Sequence, residues 1–299
     1  VYKRQEVLTD LIEFWHSRNS RPREGRASHL VTGPIYIEGA EPGDTLEVQI
    51  LEVRPRVPWG FNSTRAFSGV MSKTYPGYRD GDRGIDIPPE TDDVPSEEWR
   101  IIRTERLGDD LFGIYPSGVR IPLAPFMGVM AVAPMPIVGE PGVDVEGVQS
   151  SGPPGAFGGN LDVKHLTAGS KLFLPVFHSG ARFYVGDPHG AQGDGEVSGL
   201  ALEQSMIGVF RFILHKNLVS KGPRAETLTH HLVMGIDVDL DRALKKATEN
   251  VVDFLVDRHD IRPSEAFSIA SVAVDFTISE AVDETQVVTA FIPKSIFRH

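Results

Sequence analysis

The sequence predicts a mainly β protein that carries two helices near its end. Thirty glycines and 22 prolines are spread along all 299 residues rather than gathered in one stretch, as many turns between short strands require. Short runs alternate apolar and polar residues from residue 29 onward, the period of a half-buried strand. A helical period enters only after residue 237.

Taken in order, "HLVTGPIYIEGAEPGDTLEVQILEVR" (29–54) predicts strand, turn, strand. "GPIYIEG" alternates and ends at Glu38, Pro42 and Gly43 suit the turn, and "TLEVQILEV" alternates again. Residues 58–120 show less regularity and are rich in Arg, Asp, Gly and Pro. "EPGVDVEGVQSSGPPGAFGGN" (140–160) predicts an ordered loop, and "SKLFLPVFHSGARFYVGD" (170–187) two further strands. In "DVDLDRALKKATENVVDFLVDRH" Leu240, Ala243, Leu244, Ala247, Val251, Phe254 and Leu255 recur at helical spacing behind N-terminal aspartates. "RPSEAFSIASVAV" predicts a second helix with Ser264 as its N-cap, and "DETQVVTAFIPKSIF" returns to strand.

Bulk properties remove several function classes. A net charge of −11 argues against nucleic acid, which calls for a basic stripe. No apolar run reaches the roughly 20 residues of a membrane span, and no secretory pattern opens the chain, so a cytoplasmic location is expected. With no cysteine there is no thiolate nucleophile, no disulfide and no Cys-ligated metal. A G-x-S-x-G elbow is also missing, and the adjacent serines of "QSSGPPG" lack the glycine-flanked setting of a Ser-Ser-Lys amidase.

The densest chemistry is "FYVGDPHGAQGDGEVSG" (183–199), with Asp187, His189, Gln192, Asp194 and Glu196 among five glycines. Asp187 with His189, and Asp194 with Glu196, stand two apart and would share a face in extended chain. Carboxylates beside an imidazole suit zinc or an acid–base pair; calcium, which takes oxygen alone, or a solvated turn would also use such acids. In "GPPGAFGGNLDVKH" (152–165) Gly158 and Gly159 permit exposed backbone amides, and Asn160 and Asp162 again stand two apart. Of the histidines, His230 and His231 would face opposite sides of a strand. His16, His178, His259 and His299 have no acid at suggestive spacing.

Several stretches together resemble the acetamidase/formamidase family: "TGPIYIEGAEPGDTLEV" (32–48), "IPLAPFMGVMAVAP" (121–134), "PPGAFGGNLD" (153–162), "VGDPHGAQGDGEVSGLALE" (185–203), "GIDVDLDRAL" (235–244) and "SVAVDFTISEAVDETQVVTAFIPKSIF" (271–297). The resemblance implies hydrolysis of a short amide such as formamide or acetamide to carboxylate and ammonia. It also implies a homo-oligomer with a metal-assisted site on a jelly-roll-like β-sandwich (1–215), and a smaller α+β part with the two helices (216–299) packed on it as one compact unit.

Carried over, the family's acidic-His motif falls on Asp187, His189, Gln192, Asp194 and Glu196, its Gly-Gly-Asn-x-Asp motif on Asn160 and Asp162, and its Glu-Gly-Ala-Glu motif on Glu38 and Glu41. An early acid is matched by Asp10, more by its distance from Glu38 than by its surroundings. Pro188 stands where the family commonly has glycine, and His178 and Arg182 where it tends to be apolar; at the mouth of the site these two would alter substrate preference.

The expected site therefore holds a divalent ion, zinc before calcium, on His189 with carboxylates among Asp10, Asp162 and Asp187, which would acidify a water. Glu38 or Glu196 moves the proton, with Asp194 in the catalytic group. Gly158, Gly159, Asn160 and Gln192, or the 190–193 backbone, face the substrate oxygen. The rival expectations are a hydrolase of the same fold for a larger amide, and a non-catalytic calcium module.

Overall fold

The computed structural model describes residues 9–16, 29–65, 69–71, 97–135, 137–143 and 146–297. A short helix α1 (Thr9–His16) precedes β1 (Val31–Ile35), β2 (Thr45–Pro55), β3 (Trp59–Arg65), β4 (Glu97–Leu107), β5 (Asp110–Ile114), β6 (Arg120–Pro122), β7 (Phe126–Ala131) and β8 (Gly158–Asn160). β9 (Lys171–Pro175), β10 (Phe183–Ala191), β11 (Leu202–Glu203), β12 (Met206–His215), β13 (Arg224–Glu226) and β14 (His230–Asp237) lead to helices α2 (Leu240–His259) and α3 (Pro263–Ala273). The chain then closes through β15 (Asp275–Asp283) and β16 (Thr285–Pro293).

Among the described residues the strands form two antiparallel sheets. The first runs β6-β5-β4-β3-β11-β10-β7-β8, with β1 also on β10; the second runs β12-β2-β9-β13-β14-β16-β15. Their inner faces meet in one core, with Met130, Phe183 and Val185 of the first sheet against Leu46, Val48, Leu172, Leu174 and Leu232 of the second. The molecule is thus a mainly β sandwich with a small helical part. The second sheet draws strands from both sides of residue 215, so the helical part shares its sheet with the sandwich.

Helix α2 begins where the aspartates predict: Asp239 is its N-cap and its side chain accepts from the Arg242 amide. Its buried stripe is Ala243, Ala247, Val251 and Leu255. Helix α3 differs from expectation, since Arg262 is the N-cap, without a side-chain bond, and Ser264 is already helical. Pro263, with its fixed φ and missing N–H, suits the first helical position and moves the start two residues earlier. None of the described helices is long and apolar enough to cross a membrane.

Residues 58–120, irregular in sequence, hold the long β3–β4 pair, in register from Trp59–Arg103 to Arg65–Glu97. In β4 only Ile102 is buried among the residues whose burial is described, while Trp99, Ile101 and Leu107 are exposed. A strand with almost no core face has little alternation to show.

The α2–sheet contact rests on a glycine. A Cβ on Gly235 of β14 would overlap the Ala243 carbonyl oxygen and the Ala247 nitrogen, both helix backbone. Gly235→Ala is expected to destabilise the fold by about 3 kcal/mol, because α2 must lift off the sheet. Urea unfolding measures this; a loss below about 0.5 kcal/mol, the scale of a neutral surface change, would show that the helix shifts freely.

Candidate active and metal site

The site lies where the middle of the first sheet meets the β15 edge of the second. β10 carries Asp187 and His189, and His189 Nε2 lies 3.3 Å from Asp187 Oδ2. β11 sets Glu203 opposite His189, its Oε1 also 3.3 Å from Nε2. Two residues past β8, Asp162 approaches the other ring nitrogen, with Oδ1 3.7 Å from Nδ1. The turn after β10 brings in Glu196, and Gly195 bridges to β15 through Gly195 N–H to Ser279 O and Ala281 N–H to Gly195 O, both 3.2 Å. β15 ends in Asp283, whose Oδ2 accepts from Asn160 Nδ2 at 2.7 Å.

Glycine makes this convergence possible at one point. Gly128 on β7 faces Asp187 across the β7–β10 pair, and a methyl group there would overlap Asp162 Oδ1 and stand 2.8 Å from Asp187 Oδ2. Backbone strain collects here as well. Of the eight non-glycine residues with left-handed φ among those described, Asp162, Asp187 and Glu196 belong to this cluster. Such conformations cost on the order of 1–3 kcal/mol each and mark functional sites.

The hydrogen bonds assign the imidazole. Gln192 Nε2 faces two carbonyls, donating to Asp162 O (2.8 Å) and Ser279 O (3.1 Å), so its other atom, 2.8 Å from His189 Nδ1, is the oxygen. Nδ1 therefore carries a proton and donates it, which turns Nε2 toward the Asp187 and Glu203 carboxylates. Gln192 is thus a positioning residue for His189, and its amide is committed before any substrate arrives. Gln192→Ala is expected to weaken zinc binding 10–100-fold, the usual cost of losing a partner behind a metal-binding histidine. A zinc titration with a competing chelator would read that change.

Charge in the cluster is unbalanced. Burial, reinforced by Glu196, holds the Asp162 carboxyl well above the ordinary range. Burial likewise raises Glu196 to about 8, Asp283 to about 6 and the neighbouring Glu280 to about 9. For His189 burial opposes the charge, but the Glu203 and Asp187 carboxylates outweigh it and hold the ring well above its usual value. Both Asp162 carboxylate oxygens and Asn160 Oδ1 are buried without a hydrogen-bond partner.

Unpartnered buried oxygens around an oriented imidazole, whose Nε2 can bind a metal once it releases its proton, are a donor set for a cation. Three overlapping groups have ligand atoms within 4.8 Å of one another: Asp162–Asp187–His189, His189–Glu196–Glu203, and Asp162–Glu196–Asp283.

The acetamidase/formamidase family model matches residues 23–140 and 142–299. The chain belongs to the acetamidase/formamidase family. It is 28% identical to a formamidase of Methylophilus methylotrophus, over 90% of this chain and 77% of that one. To an acetamidase of Mycolicibacterium smegmatis it is 31% identical over 57% of its length, spanning about half (49%) of that protein. The crystal structure of a Bacillus halodurans acetamidase superposes with a TM-score of 0.74 at 29% identity, covering 89% of this chain and 79% of the other.

Among the family-matched positions, Asp162, Asp187, His189, Gln192, Glu196 and Asn160 come together. Asp194 does not join them: it is exposed and its carboxylate pairs with Lys164 at 2.9 Å. The left-handed Gly195 and Glu196 break the extended geometry that would have put Asp194 and Glu196 on one face. Glu38 is exposed on the turn after β1, beside the start of β10, roughly 20 Å along the strand from His189. Glu41 lies at the same end and accepts from Ser179 Oγ.

Asp10 falls in helix α1 rather than in a strand, and its side chain lies outside the described residues. Gly158 and Gly159, at φ 91° and 95°, open strand β8, which leads to Asn160 and Asp162, and the Gly158 amide already donates to Gly155 O. His178 and Arg182 also stand at the far end of β10, away from the site.

Sequence reasoning passed over Glu203, Asp283, Gly128 and His29, whose Nε2 lies 3.8 Å from Asp187 Oδ2. Glu203 sits inside a family-like stretch, "VSGLALE", yet has no neighbour in sequence to draw attention to it.

Proposed function

We propose that this family member hydrolyses the C–N bond of a carboxamide to carboxylate and ammonia, with a divalent cation, zinc before calcium, held by His189, Asp162 and Asp187 and approached by Glu196 and Glu203. The observation that supports this most is the Gln192-oriented imidazole facing buried carboxylates, with both Asp162 oxygens unpartnered. A nitrogen ligand among acids suits zinc better than calcium, which takes oxygen alone. When bound, the cation supplies Lewis-acid polarisation and lowers the pKa of water.

The chain's own groups supply the proton handling. Glu196, buried beside His189 and bordering the cleft that opens onto the site, is the carboxylate placed to exchange a proton with the reacting groups. It takes one from the attacking water and returns it to the nitrogen as the C–N bond breaks. Gln192 holds His189 in one orientation throughout. Backbone amides of Gln192 and Gly193, past the end of β10, are the donors for the carbonyl oxygen, since the Gly158 amide is engaged elsewhere.

The test is ammonia release from formamide and acetamide by protein treated with chelator and then resupplied with zinc or calcium. Activity is expected to fall at least 100-fold on chelation, to return with one metal, and to be absent in His189→Ala. Full activity after verified removal of metal would retire the cation and leave a carboxylate mechanism centred on Glu196.

A further inference from the structure

The cleft that leads to Glu196 is far larger than formamide or acetamide. It is a half-open cleft of about 1000 Å³ whose lining includes Gln192 and Glu196. That is the upper end of the roughly 300–1,000 Å³ of pockets for drug-sized ligands. An amide of a few heavy atoms, each with about the 30 Å³ share of a water, would fill about a tenth of it.

The walls are mostly apolar and come from both sheets. Tyr115, Ile121 and Leu200 line it from the first sheet and its loops. His165, His230 and Phe291 line it from the opposite side as an aromatic cluster, with His165 edge-on to Phe291 at 4.6 Å and His230 at 6.0 Å. Lys164 and Asp194, the charged pair at the rim, satisfy each other at 2.9 Å. The other described carboxylate on the lining, Glu196, faces His189 and belongs to the chemistry.

We infer that the substrate is an uncharged amide carrying a ring or comparably bulky apolar group, which lies between the Tyr115–Ile121–Leu200 wall and the His165–His230–Phe291 wall while its amide carbon meets Glu196. The inference rests on the amidase reading and deepens it. A ring between these walls is desolvated on both faces and can make edge or face contacts with Phe291. The binding energy so gained far from the reacting bond can be used to orient the amide, which a one- or two-carbon acyl group cannot supply.

The experiment compares kcat/KM of the metal-replete full chain on formamide, acetamide, phenylacetamide (ring on the acyl side) and N-benzylacetamide (ring on the nitrogen side). At least one ring amide is expected to exceed acetamide tenfold or more, and which one identifies the side that lies in the cleft. Thr229→Trp and Ile121→Trp, which fill the cleft from opposite walls, are each expected to lower the ring-amide to acetamide ratio at least tenfold. Acetamide turnover with both ring amides slower would overturn the inference and leave the amidase reading standing. An unchanged ratio in both folded variants would place the ring elsewhere and overturn it too. No turnover of any of the four amides would sink the amidase reading, and this inference with it.

Discussion

Gly128→Ala is expected to reduce amide hydrolysis about 100-fold or more and to weaken metal binding, although Gly128 carries no functional group. The added methyl would overlap Asp162 Oδ1 and press on Asp187 Oδ2 and the Asp187 carbonyl. Neither acid can simply step aside. Asp162 is 1% exposed and its amide bonds back to Gly128 O, while Asp187 is held in a left-handed conformation within the β10 ladder. Displacing a catalytic group by about 1 Å costs on the order of 100-fold in rate. A double-mutant cycle separates this from general misfolding. If the clash with Asp162 is the cause, adding Asp162→Ala to Gly128→Ala should recover part of the lost thermal stability while activity stays absent. Strictly additive effects on Tm would show that the methyl is accommodated away from Asp162.

The readable parts of this site are those that one stretch of chain builds by itself. The Asp187–His189 pairing was legible because both groups stand two apart on one strand, although Asp187 is itself left-handed and alternation alone does not account for their contact. Asp162 is foreshadowed by Gly158 and Gly159, whose left-handed backbone opens the short strand that leads to it. The Asp194–Glu196 pairing failed on the same rule applied one step too far. Between them Gly195 is left-handed, and alternation holds only where φ stays extended.

What sequence could not show is what topology contributes. Glu203 reaches His189 through the β10–β11 register, and Asp283 reaches Asn160 across 123 residues of chain. Neither has local company. Glu38 presents the opposite case, a family-like motif at a turn that β1 anchors to the far end of β10. At the level of the fold the two late helices were legible, since α2 has both a capping aspartate and a buried stripe, whereas α1 was not. The β3–β4 pair was not, since a strand with one buried residue leaves no period to detect.

Glu196→Gln is expected to lower kcat about 100- to 10,000-fold, the range for removing one general acid–base group. It should also change how the metal-free protein responds to pH. Glu196 is raised from 4.5 to about 8, first by burial, so above pH 4.5 the native state holds a proton that the unfolded chain releases. Stability then falls as pH rises from about 4.5 toward about 8, because the unfolded state binds fewer protons than the native one. Glu280 and Asp283, also raised by burial, act in the same direction, so the slope in Glu196→Gln should be reduced rather than abolished. A bound cation favours the ionised carboxylates and should flatten or reverse the trend. Thermal melts across pH 5–9, with chelator and with zinc, would show both effects. If the glutamine variant kept wild-type kcat together with an unaltered melting profile, Glu196 would be neither the proton carrier nor a buried acid of the native state, and the proton would have to pass through Glu203 or Asp283.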